Sequence, residues 1–166
     1  MPHSTRFVLM VLAGLSLLAA LWTGLARIGW DLPLPNADFV SLHGPLMVIG
    51  FLGTLIGLER AAAAESFWVY AIPVFSALSI LALLCGATQE TVALLALIAA
   101  LLFTVFFAGL YRRQPSEPFV VMTLSGAALS VGNMVWVAET PVPQVVPWWV
   151  GFLVLMIAGE RLELTR

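Results

Sequence analysis

Long uncharged apolar runs alternate along this chain with short polar breaks, many of them marked by proline. Six runs stand out: Phe7–Gly29, Asp38–Leu58, Phe67–Ala87, Thr91–Tyr111, Phe119–Ala138 and Pro147–Gly159. Crossing the hydrocarbon of a bilayer as a helix takes ~20 apolar residues, so each run reads as a membrane span. The first run follows Arg6, the arrangement of a signal peptide. Its apolar stretch is some twenty residues against the usual roughly 7–15, and no small-x-small cleavage site follows, so it reads as a retained span. The breaks are short. Asp31–Ala37 carries Pro33 and Pro35, Ala61–Ser66 links spans two and three, and Thr88–Glu90 is a tight turn. Arg112–Pro118 is charged and proline-broken, and Glu139–Val146 carries Pro141 and Pro143. The expectation is an all-α polytopic bundle of six transmembrane helices, forming a single domain over residues 1–166.

The second run holds the most informative pattern. From Pro45 to Leu58 it has no charge, but those residues alone span only roughly 21 Å of an ~30 Å core. A start near Asp38, a good N-cap, restores the length and puts His43 about a turn and a half inside the helix. Pro45 then removes a backbone hydrogen bond and bends the helix beside Gly44. The other reading starts a shorter helix at Gly44-Pro45 and leaves His43 at the interface. On an α-helical wheel of ~100° per residue, His43, Met47, Gly50, Thr54 and Gly57 share one stripe, and Val48, Leu52, Leu55 and Ile56 form a greasy back.

Composition confirms the class. Of 166 residues 61% are hydrophobic and 10% charged, with a mean hydropathy of +1.04. A soluble domain carries roughly 25% charged residues, so these few cannot cover a water-facing surface, and the bilayer is the expected surrounding. The net charge of −2 comes with no basic patch, which leaves nucleic acid without a docking surface. The single cysteine, Cys85, excludes an internal disulfide and any Cys-pair zinc motif. With six spans, Arg6, Arg60, Arg112, Arg113, Arg161 and Arg166 fall on one side and Arg27 on the other. The positive-inside rule then puts both termini in the cytoplasm of a cell membrane, in the manner of a bacterial inner membrane. Trp22, Trp30, Trp136, Trp148 and Trp149 gather toward the outer interface, where His43 also lies.

Candidate chemistry rests on few side chains. His43 and Met47 are one helical turn apart, and imidazole with thioether suits a haem iron or a copper ion. Topology puts Cys85, Asn133 and Met134 at a similar depth, which makes a candidate pocket in the outer half; packing roles alone are the other reading of all five residues. Gly50, Gly53 and Gly57 allow close helix packing or make room for a flat cofactor. Gly126, Ser130 and Asn133 share a face that points into the bundle, with the second span as its expected neighbour. Glu59-Arg60 and Glu160-Arg161 close the second and sixth spans as expected structural ion pairs. Glu59 lies about 24 Å along the helix from His43 and on its opposite side, so the two do not form one site. Nothing resembles a phosphate loop or a nucleophile–base pair, so the sequence leans away from an enzyme.

The run His43-x-x-x-Met47-x-x-Gly50-Phe51 resembles the signature of the NnrS-like family of multi-spanning membrane proteins. That resemblance implies an association with haem and copper, and with nitric oxide stress in denitrifying bacteria. It covers the second span; the Gly-Leu-Glu-Arg and Ala-Gly-Glu-Arg-Leu-Glu-Leu stretches are similar to those of uncharacterised relatives of that group. Members of that family carry a second histidine where this chain has Pro45. They also run to about twelve spans, so this chain resembles an N-terminal half, whose partner is a second six-helix half or another copy of itself. Three functions are thus in view: a haem- or copper-binding membrane protein, a non-catalytic accessory or assembly subunit of a membrane complex, and half of a small-solute transporter.

Overall fold

Lipid offers a backbone N–H or C=O no partner, so an apolar run of this length satisfies its polar groups internally by coiling into a helix. The computed structural model, which describes residues 3–34, 37–64 and 66–165 and the side chains of all these but 37 and 38, has six helices long and apolar enough to cross a membrane. They are α1 (His3–Arg27), α2 (Phe39–Ala64), α3 (Phe67–Leu84), α4 (Gln89–Arg113), α5 (Glu117–Val137) and α6 (Val142–Leu164). The chain is an all-helical, multi-pass membrane protein.

Helix ends follow local chemistry. Gly29 (φ 98°) and Gly86 (φ 78°) take the left-handed conformation that stops α1 and α3. At each, paired bonds close the last turn: Trp30 N–H to Leu25 and Gly29 N–H to Ala26, then Ala87 N–H to Ala82 and Gly86 N–H to Leu83. Thr88 caps α4, its hydroxyl accepting from the Thr91 N–H at 3.3 Å. Several expected boundaries shift: α1 starts at His3, α3 stops at Leu84, and α4 starts at Gln89, inside the turn expected over Thr88–Glu90. The linker expected over Ala61–Ser66 is helical through Ala64, because four consecutive alanines are strong helix formers. The sixth span, expected at Pro147–Gly159, runs from Val142 to Leu164 with Pro147 inside it. Glu59-Arg60 and Glu160-Arg161 consequently lie within the last turns of their helices, not at the ends. The capping role expected of the Asp38 side chain, and residues Pro35, Glu65 and Arg166, lie outside the described residues.

The chain forms two compact units, Met1–Ala87 and Thr88–Arg166, each of three spans. In the first, α2 meets both neighbours through its glycines. A Cβ on Gly50 would come within 2.7 Å of Ile80 on α3 and 2.9 Å of Ser16 on α1. One on Gly57 would come within 2.9 Å of Ile72 and 3.2 Å of the Pro73 backbone nitrogen. Such close approach replaces the missing hydrophobic drive between helices in lipid. In the second unit, Gly126 lets α5 lie against the α4 backbone at Thr104, and Ser125 donates to the Phe152 carbonyl of α6 at 2.8 Å. Trp136 and Trp149, expected in an interfacial belt, are buried and meet edge to face with centroids 5.5 Å apart; Trp22, Trp30 and Trp148 are exposed.

Candidate functional site

His43 is the residue around which a site can be built, and α1 positions it. The second span enters as a tight 3-10 turn over Ala37–Leu42, so His43 is inside the helical run and not in a loop before it. Its ring lies against Gly24: a Cβ there would sit 2.9 Å from Nδ1 and 3.0 Å from Cε1. Nδ1 is 2.8 Å from the Ala20 carbonyl oxygen. A carbonyl only accepts, so Nδ1 carries the proton and donates it. In the neutral ring this leaves the Nε2 lone pair available, the arrangement in which ligating histidines are held by a backbone carbonyl behind them.

Beside the ring, along α1, is an open cleft of about 460 Å³, lined by Leu21, Gly24, Leu25, Arg27, Ile28 and His43. Its walls are aliphatic, with one guanidinium and one imidazole, which suits a flat apolar molecule carrying an acid group. The loop after α1 is held back by Trp22, whose indole N–H donates to the Pro33 carbonyl at 3.1 Å.

Beyond His43 the helix widens. Leu46–Gly53 is an eight-residue π-helix, in which a turn takes more residues than in an α-helix. Such segments are mostly single-turn bulges and recur at functional sites. The straight stripe expected from an α-helical wheel is therefore wound. His43 faces α1, Gly50 lies between α1 and α3, and Gly53 and Gly57 face Ser76, Ile72 and Pro73 of α3. Val48, expected on the greasy back, is buried, while Leu55 is exposed. Met47, within the π-helix, is half-buried. Thr54, just past it, is fully buried with a hydroxyl that has no hydrogen-bond partner. Ser16, Thr23, Thr104, Thr123 and Ser130 each donate to the carbonyl four residues back. For Thr54 that carbonyl belongs to Gly50, within the π-helix.

The other candidate pocket residues stand apart in role. Cys85 is exposed at the end of α3. Asn133 is fully buried in the second unit, donating to the Ala96 carbonyl and accepting from the Trp149 indole, both at 3.0 Å. Its carboxamide thus ties α4, α5 and α6 together. Met134, next to it, is exposed. Among the described residues, no three of His, Cys, Asp and Glu come together as a metal cluster.

Sequence reasoning missed Gly24, Ala20 and the place of Arg27 in the cleft. The available signal was the small-residue stripe Ala13, Ser16, Ala20 and Thr23 at spacings of three and four, all buried in α1. A family model described as a domain of unknown function (DUF8744) matches residues 6–166 and so runs through both units. No curated protein and no solved structure matches the chain.

Proposed function

The chain belongs to the DUF8744 family, and we propose that it binds haem through His43, toward the outer face of a bacterial inner membrane with both termini in the cytoplasm. One observation carries the reading: the Nδ1–H of His43, a residue that lines the apolar cleft, is spent on the Ala20 carbonyl at 2.8 Å, which leaves Nε2 as the nitrogen free to ligate. Haem suits the donor set better than copper does. A porphyrin would bring its own donors to the iron, so His43 alone would suffice to hold it, whereas a copper ion would have only His43 and Met47. The cleft also fits an amphipathic macrocycle, with Leu21, Leu25 and Ile28 for the ring and Arg27 for a propionate. Met47, four residues further along the same span, would not be needed to hold the group. The likeness of the second span to the NnrS-like signature points the same way.

The test is an absorption spectrum with metal analysis of detergent-purified protein from cells supplied with haem and copper. A Soret band with stoichiometric iron, both lost in His43→Ala, supports the proposal. Stoichiometric copper that needs both His43 and Met47 replaces it with a copper site. Colourless, metal-free protein replaces it with a non-catalytic helical subunit.

A further inference from the structure

The second unit carries a groove that the haem reading does not use. It lies between the last two turns of α4 and the first two turns of α5, is an open groove of about 360 Å³, and is lined by Ala108, Tyr111, Arg112, Val120, Thr123 and Leu124. Chemistry divides these residues by depth. Tyr111 and Arg112 are at the helix end, while Val120 and Leu124 lie deeper and are exposed along the outer surface. The Thr123 hydroxyl is committed to the Phe119 carbonyl at 2.6 Å, so it adds an apolar methyl and no free donor. Arg112 is exposed and makes no hydrogen bond or ion pair among the described residues.

Helix length fixes the level of the charged end. The 25 residues of α4 reach ~37 Å at 1.5 Å per residue, against a hydrocarbon core of ~30 Å, so the last turn emerges among the headgroups. A molecule seated there meets a cation and a phenol at headgroup level and an aliphatic wall running ~10 Å into the membrane. A free phosphate would use only the first; a phospholipid uses both.

We propose that this groove binds an anionic phospholipid, its headgroup against Arg112 and Tyr111 and one acyl chain along Val120 and Leu124. The site does not depend on what His43 binds. Arg113 and the exposed Glu117 stand at the same end without lining the groove, which separates a site from a general surface charge. The experiment is native mass spectrometry of the full chain extracted from vesicles of equal phosphatidylglycerol and phosphatidylcholine. The wild type is expected to keep one phosphatidylglycerol in preference. Arg112→Gln should lower that preference about fivefold, the effect of one interfacial cation, and Arg113→Gln less than twofold. Val120→Trp, which fills the groove, should reduce both lipid adducts. Absence of preference in the wild type overturns the proposal without any variant. So does an equal loss in the two arginine variants, or unchanged lipid in Val120→Trp.

Discussion

The pair Gly24 and His43 shows how little room one side chain leaves for another. A methyl at Gly24 would sit 2.9 Å from Nδ1, so the ring must leave the Ala20 carbonyl to make way. Gly24→Ala is therefore expected to cut haem content severalfold, whereas Gly14→Ala, whose Cβ meets open space, should leave it unchanged; the Soret absorbance per protein measures both. His43→Ala should keep the fold, because a hydrogen bond between membrane helices is worth about 0.6 kcal/mol on average. Asn133 is different. Its removal takes the second bond from the Ala96 carbonyl and strands the buried Trp149 N–H, so Asn133→Ala should cost roughly 1–3 kcal/mol, read as a lower melting temperature in detergent. The sequence makes His43 and Asn133 legible as polar side chains in apolar runs. Their partners are not legible, because Ala20 and Ala96 contribute backbone carbonyls, which leave no mark on residue type.

At the scale of the element, the second span departs most from what an even helical period implies. Its start before His43 could be argued from membrane thickness, but nothing in Leu46–Gly53 announces a π-helix, since its side chains fit either winding. The cost shows at Thr54, whose buried hydroxyl has no partner. Thr54→Val, nearly the same shape without the hydroxyl, is expected to raise stability by about 1 kcal/mol, visible as a higher melting temperature. An unchanged or lower value would mean that the hydroxyl is satisfied. The glycines of the same helix predict the opposite sign. Gly57→Leu drives a side chain into Ile72 and the Pro73 backbone, so it should lower the melting temperature sharply, and more than Gly14→Leu does. The expected ends at Gly29 and Ala87 overshoot the observed ones at Arg27 and Leu84 by a short capping turn, closed in each case by a glycine at positive φ. Helix ends were least legible at Ala61–Ala64 and around Pro147, where helix propensity and first-turn proline carry the helix past the apolar run.

For the molecule as a whole, six spans were readable because so few charges interrupt the apolar runs. Its division into two three-helix units was not readable, since the break between Leu84 and Gln89 resembles the other breaks. The proposed orientation follows from arginine placement alone, and reporter fusions at Arg113 and Glu139 should land on opposite sides of the membrane; the same side for both contradicts it. The central claim is narrower: His43 Nε2 ligates iron. The chain has only two histidines, His3 and His43, so His3→Gln leaves His43 as the sole imidazole. Resonance Raman spectra of the reduced protein, grown with ordinary or ¹⁵N-labelled histidine in that background, report the iron–imidazole bond directly. The expected result is an iron–histidine stretching band that moves to lower frequency on labelling and is absent from the His43→Ala variant. A haem-loaded protein whose spectrum is the same with either isotope would contradict it.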